Sequence, residues 1–166
     1  MEISKILETY SLNKSTYLNL RWIGIIGQFI TINTVKFILN FEFNYIAANL
    51  IIFIGAISNI FLFYYYKKIQ LSNRSAFNFL LIDIIQLTSL LYLTGGVVNP
   101  FSIFLLIPSV FASSNLKIKT NFFLIFVTLI SIIFLTFFSL DLPKPLSDHF
   151  HVSSYYYYAI PTGLVI

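Results

Sequence analysis

The chain has 166 residues, of which 58% are hydrophobic and only 10% are charged. Soluble domains carry about 25% charged residues, so this composition excludes an ordinary water-soluble globule. The absence of cysteine excludes disulfide frameworks, thiol catalysis and cysteine-ligated metal sites. The net charge of +4 has to be interpreted by position along a membrane, and it does not indicate a nucleic-acid partner.

Long apolar runs separated by short polar loops follow one another along the chain. A membrane helix needs about 20 mostly apolar residues. Runs of this kind lie at 20–37, 46–66, 75–94, 101–115, 121–140 and 155–166. The fourth is short, and the sixth is incomplete because the sequence stops within it. The sequence therefore predicts an all-α integral membrane protein: a polytopic bundle of six transmembrane helices, the sixth truncated, after an N-terminal segment at 1–19.

The lysines and arginines predict the orientation of these spans. With the N-terminus inside, the outer side receives only Lys36 and Lys144. The cytoplasmic side receives Lys5, Lys14, Arg21, Lys67, Lys68, Arg74, Lys117 and Lys119. Eight basic residues on the cytoplasmic side against two on the outer side satisfy the positive-inside rule. The N-terminus is therefore expected in the cytoplasm. A completed sixth span would return the chain to the same side.

Polar and small residues recur on single faces of the predicted spans. The first three spans contribute Gly24, Gly27, Gln28 and Thr31, then Asn49, Ala56 and Asn59, then Asp83 and Gln86. For the glycines and asparagines, close helix packing is the simpler interpretation. Asp83 differs, because an acid inside a membrane is costly and by default functional. Pairing with Gln28, Asn59 or water and a functional role both stay open for it.

Residues with catalytic or metal-binding patterns are missing from this sequence. His149 and His151 lie with Asp148 in an outer loop, and three such groups are too few fixed ligands for a metal site. No glycine-rich phosphate loop, nucleophile–base pair or paired carboxylate site is present. These 166 residues therefore carry no predicted catalytic residues and no predicted metal site.

A helix stop followed by a helix start lies between the third and fourth spans, at residues 95–101. Gly95 and Gly96 suit the left-handed conformation that ends a helix. Asn99 is a good N-cap, and Pro100 suits a first helical position. Free N–H groups, an adjustable Asn99 amide and the rings of Tyr92, Phe101 and Phe104 could hold a flat amphipathic ligand. On physical grounds alone, a tight hairpin without a ligand remains the simpler interpretation.

Two segments of the chain resemble a known family. Residues 95–101, GGVVNPF, match the GGxxNPF segment of the RegB/PrrB/ActS type of redox-responsive sensor histidine kinases. Residues 20–28, LRWIGIIGQ, resemble the LRW…GQ opening of that family's first span. The number of spans, the inside N-terminus and the place of the GGxxNPF segment agree as well.

The resemblance implies a membrane sensor in the bacterial inner membrane that reads the redox state of bound ubiquinone. The quinone-binding positions carried over are Gly95, Gly96, Asn99, Pro100 and Phe101, with Tyr92 and Phe104 as weaker candidates. Asp83, Gln86 and Gln28 are candidates for polar coupling within the membrane. A cytoplasmic kinase domain, expected beyond this chain, would use ATP, autophosphorylate and pass phosphate to a response regulator. The expected partners are therefore quinone, the lipid bilayer, a second copy in a homodimer and that regulator.

The expected mechanism is a population shift, because quinone and quinol differ in whether their oxygens accept or donate hydrogen bonds. Pro108 and Pro161 are candidate flexing points, since a proline removes a helical hydrogen bond. Two alternatives stay open at this point. One is a small proton-coupled transporter that uses Asp83 and Gln86. The other is a membrane subunit of a quinone-linked complex.

Overall fold

A computed structural model describes residues 12–141 and 144–145 of the chain. Its helices are α1 (Lys14–Phe37), α2 (Tyr45–Tyr65), α3 (Asn73–Leu93), α4 (Leu106–Asn115) and α5 (Ile118–Phe138). Two short 3₁₀ helices, Gly96–Val98 and Pro100–Leu105, join α3 to α4. The predicted sixth span at 155–166, with Pro161, and the outer-loop histidines lie outside the described residues.

Within the described part of the chain, four two-residue strands connect loops at the two ends of the bundle: β1 (Leu12–Asn13), β2 (Phe41–Glu42), β3 (Gln70–Leu71) and β4 (Lys144–Pro145). β1 pairs with β3 in antiparallel register, with Leu12 opposite Leu71. β2 pairs with β4 in the same sense. Each pair joins loops that are distant in sequence, so the strands fix how neighbouring helices enter and leave the bundle.

Three of the described helices, α2, α3 and α5, are long and apolar enough to cross a membrane. The segment Pro100–Asn115 is a shorter apolar helix. Large apolar side chains such as Phe53 and Phe137 remain more than 60% exposed on the outside of the bundle. An apolar exterior of this extent suits a lipid environment. The described fold is that of an all-α membrane protein.

The helices begin at residues whose side chains can bind free backbone N–H groups. The Asn13 Oδ1 accepts hydrogen bonds from the backbone N–H groups of Ser15 and Thr16, and Ser72 caps α3 in a similar way. Such a cap satisfies donors that otherwise have no partner in the first turn. Because Asn13 acts here, α1 begins ahead of the apolar run at 20–37 and includes Tyr17.

The helices pack in an order that leaves α1 at one side. α2 packs between α1 and α3, α3 packs against α5, and α4 packs on both α3 and α5. The larger core, formed mainly by α3 and α5, includes fully buried Ile84, Leu124 and Leu135. A smaller cluster, with Ile25 and Ile52, joins α1 to α2. α1 is thus held mainly through α2, and it faces α3 and α4 across a groove.

One end of the bundle gathers the basic loops. There the Lys14 Nζ donates to the carbonyl of Phe63 at 2.9 Å, so α1 starts where α2 ends. The Asn73 side chain donates to Thr120 and accepts from the N–H of Lys117, which joins the start of α3 to the start of α5. We call this the basic end. The 95–101 segment lies at the opposite end, which we call the turn end.

Candidate functional site

The 95–101 turn has the backbone conformation that its sequence predicts. Gly95 and Gly96 adopt φ values of 104° and 60°, in the left-handed region that favours glycine. Asn99 precedes the next helix with φ −65° and ψ 124°, and its Oδ1 accepts a hydrogen bond from the N–H of Phe101 at 2.9 Å. Pro100 takes the first helical position. The backbone conformation therefore confirms the predicted end of one helix and start of the next.

The polar groups of the turn are bonded to one another. The Asn99 Nδ2 donates both to the carbonyl and to the hydroxyl of Thr94, at 2.9 Å each. The N–H groups of Phe101 and Ser102 donate to the side chain and the carbonyl of Asn99. The sequence suggested an adjustable amide and free N–H donors, but these groups stabilise the turn itself.

One side of the turn packs against α5. A Cβ on Gly96 would overlap the side chain of Ser139 and lie 2.7 Å from the carbonyl oxygen of Leu135. Val97 is 1% exposed. Tyr92 stacks on Phe134 with ring centroids 6.0 Å apart. Gly96 and Tyr92, both candidates from sequence, therefore serve contact between helices on this side.

The other side of the turn faces the groove between α1 and the pair α3–α4. Phe101 and Phe104 remain 42% and 43% exposed, and their ring centroids lie 5.7 Å apart. Both rings and Asn99 line a groove of about 650 Å³, whereas Tyr92, Gly95, Gly96 and Pro100 do not. Only part of the sequence-predicted quinone site is therefore brought together in one cavity.

A single face of α1 forms the opposite wall of the groove. Its residues recur every three or four positions: Tyr17, Arg21, Gly24, Gln28, Thr31 and Val35. That spacing is the period of an α-helix face. A Cβ on Gly24 or Gly27 would meet no atom of the described residues within 4 Å. Close helix packing, the simpler interpretation from sequence, is wrong for these two glycines within the described structure, because they border open space.

A buried ion pair joins α1 to α3 near the basic end of the groove. The Arg21 Nε and Nη2 both lie 2.8 Å from Asp83 Oδ1, and the Tyr17 hydroxyl donates to the other carboxylate oxygen. Arg21 also donates to the side chains of Ser58 and Asn59 on α2. Two charges removed from water are tolerated when they are paired and hydrogen-bonded in this way.

These contacts correct two expectations about charge. Among the described residues, Asp83 bonds to Arg21 and Tyr17 rather than to Gln28 or Asn59. Arg21, counted above as a charge flanking the cytoplasmic side, is 7% exposed and lies inside the bundle. The sequence did contain one indication that Arg21 faces the bundle, because Arg21 lies on the same helix face as Gly24 and Gln28. No sequence pattern indicated that Thr94 would accept hydrogen bonds from Asn99.

A second polar bridge crosses the middle of the groove. The Gln86 Nε2 donates to Gln28 Oε1 at 3.1 Å. Gly55 on α2 makes room for this contact, because a Cβ there would overlap the Gln86 amide. Asp83 and Gln86, which the sequence places in the same sector of α3, thus contact α1 at two successive levels.

Fold and site together define an all-α membrane bundle with a lateral apolar groove that has polar groups at three levels. Comparison with characterised proteins finds similarity to the sensor histidine kinase RegB of Cereibacter sphaeroides, at 28% identity over 128 residues. The aligned stretch covers 76% of this chain and 28% of that protein. No protein-family model matches the chain, and no solved structure matches it. The chain is thus similar to part of a sensor histidine kinase.

Proposed function

We propose that the chain is the membrane input region of a sensor histidine kinase that responds to the redox state of quinone. The observation that carries the proposal is the groove, in which Asn99, Phe101 and Phe104 face the polar bridges between α1 and α3. The similarity to a sensor histidine kinase supports the same interpretation. The two sequence segments that resemble the RegB/PrrB/ActS family lie on opposite walls of this groove.

The size and chemistry of the groove suit ubiquinone. Ligand pockets usually measure 300–1,000 Å³ and are apolar with a few polar groups, and this groove of about 650 Å³ meets both criteria. From Arg21 to Val35, α1 rises about 20 Å at 1.5 Å per residue, a length that accommodates a ring and part of an isoprenoid tail. The rings of Phe101 and Phe104 offer stacking surfaces for a planar head group.

The attachment of α1 offers a route for the signal. α1 packs along α2 and contacts α3 through the Arg21–Asp83 and Gln28–Gln86 bridges. A ligand between α1 and α3 that binds more tightly to one spacing of these helices shifts the population toward that spacing. The displacement would reach the basic end through the β1–β3 pairing, at the side where the kinase is expected. Pro108, in the first turn of α4, borders the same groove.

The proposal includes the finer topology that the sequence predicts. It has six spans, the last beginning near Tyr155, an N-terminus in the cytoplasm and insertion in the bacterial inner membrane. Removing the buried Arg21 from the orientation count still leaves seven basic residues against two. A homodimer, a cytoplasmic ATP-dependent kinase domain and a response regulator complete the proposed system.

The transporter alternative fits the groove less well. A carboxyl group that carries protons must lose and regain its contacts during each cycle. Asp83 is instead held by Arg21 and Tyr17, and breaking a buried ion pair on one side costs about 3–5 kcal/mol. These contacts favour a structural role for Asp83.

The test is autophosphorylation of the full-length gene product in proteoliposomes that contain either oxidised or fully reduced ubiquinone. Allosteric coupling is typically 1–3 kcal/mol, so we expect the two rates to differ about fivefold or more. The variant Phe101→Ala should remove most of this difference. Phe126→Ala deletes a similarly exposed ring on α5 outside the groove and should retain it. Equal rates in both quinone pools for the unaltered protein would refute the proposal.

A further inference from the structure

The polar groups along the groove differ in how many of their hydrogen-bonding positions are already used. At the basic end, Asp83 is occupied by Arg21 and Tyr17. At the turn end, the Asn99 amide is occupied by Thr94 and by the N–H of Phe101. Both of these side chains are therefore already engaged by other described residues.

The middle level is different. Gln28 uses its Oε1 to accept from Gln86, while its Nε2 has no hydrogen-bond partner among the residues the structure describes. An amide nitrogen carries two N–H donors. Gln28 is only partly buried and lines the groove, so these donors are accessible from it. An acceptor oxygen placed beside Gln28 can therefore form a hydrogen bond that the described residues do not supply.

The neighbouring glycines provide the space that such a ligand needs. Gly24 and Gly27 border the groove on either side of a helical turn, and neither would bring an added Cβ within 4 Å of a described atom. Gln86 is fixed by its contact with Gln28 and by the surface of Gly55. Gln86 therefore holds the Gln28 amide in position, next to the open space at Gly24 and Gly27.

We propose that Gln28 is the specificity-determining donor of the groove, binding a carbonyl oxygen of the quinone ring from the α1 wall. This inference rests on the proposed quinone function and moves its polar recognition from the 95–101 turn to α1. The turn contributes the aromatic surfaces of Phe101 and Phe104. The Gln86 amide holds Gln28 in place and acts as a positioning residue.

The test uses the purified full-length protein in lipid nanodiscs with a short-tailed ubiquinone that is isotopically labelled at its ring carbonyls. Gln28→Met keeps the length of the side chain and removes its donors. We expect about 3- to 10-fold weaker binding, the equivalent of one hydrogen bond. In the infrared spectrum, the ring carbonyl band should also move to higher wavenumber, because it loses a donor.

The matched control is Asn33→Leu, which removes an α1 amide from a comparable pair with Asn49 outside the groove. Affinity and carbonyl band should remain those of the unaltered protein.

Saturable binding that is the same in Gln28→Met and the unaltered protein, with an unshifted band, would overturn the role of Gln28 and leave the quinone function standing. Absence of saturable binding to the unaltered, folded protein would overturn the quinone function itself. If Gln28→Met does not fold, Gly27→Ala, which adds a methyl group beside Gln28, should still shift the band, and an unchanged band would refute the inference.

Discussion

The two ends of the groove and its middle are built differently. At the basic end, Arg21 and Asp83 form a buried ion pair, and at the turn end Asn99 is bonded on both sides of its amide. In the middle, the Gln28 Nε2 has no partner among the described residues, and added Cβ atoms on the adjacent glycines would meet none of their atoms within 4 Å. Saturated polar groups stabilise a fold, whereas unsatisfied ones beside a cavity suit a ligand. The comparison separates structural residues from binding residues within a single groove.

The largest expected loss of stability is at the basic end. Arg21→Met leaves the Asp83 carboxylate buried without its cation, which should cost about 3–5 kcal/mol. Thermal unfolding in detergent, followed by circular dichroism, measures the change. The double variant Arg21→Met with Asp83→Leu removes both charges and should recover most of the stability. A single variant that is as stable as the unaltered protein would show that this end is not structural.

The next largest effect is expected on the α5 side of the turn. Gly96→Val forces a branched side chain into the left-handed region and against Ser139 and Leu135, at a cost of about 3 kcal/mol. The matched control is Gly24→Ala, where the added Cβ meets open space and helix propensity favours alanine. The free energy of unfolding should fall in the first variant and hold or rise in the second. Similar losses in both would contradict the distinction between end and middle.

A smaller effect is expected at Asn99. Asn99→Ala removes the cap of the following helix and leaves Thr94 without its donor, so stability should fall by about 1–2 kcal/mol. Asn99→Asp, which keeps the capping oxygen and loses the donor, should give an intermediate value in the same unfolding measurement. If Asn99→Ala retained full stability and lost quinone affinity alone, the Asn99 amide would be a ligand contact.

The conformation of the turn could be predicted from sequence because it depends on local chemistry. Gly95 and Gly96 permit positive φ values, Asn99 favours a cap position and Pro100 fixes its own φ, and the structure has these conformations. The orientation of the rings could not be predicted, because spacing alone does not say which side of a turn a side chain takes. Tyr92 accordingly packs on Phe134 rather than lining the groove.

The partners of Asp83 could not be predicted because they depend on packing between distant segments. The apolar run at 20–37 set the expected start of the first span, so Tyr17 fell outside it and Arg21 was placed at its edge. The Asn13 cap moves the helix start to Lys14. This adds Tyr17 to the helix, one turn before Arg21, and both side chains bond to Asp83 on α3. The groove itself follows from the docking of α1 on α2, which no local pattern encodes.

The most direct test of the account is the ubiquinone affinity of Gly24→Leu in nanodiscs. Gly24 lines the groove, and an added Cβ there would meet no described atom within 4 Å, so we expect the leucine side chain to occupy the middle of the groove. We expect unchanged or higher stability and at least about tenfold weaker binding of a short-tailed ubiquinone, equivalent to 1.4 kcal/mol. Ser114→Leu, at an exposed position of α4 away from the groove, should bind as the unaltered protein does. Folded Gly24→Leu protein with unaltered affinity would contradict the assignment of the groove as the quinone site.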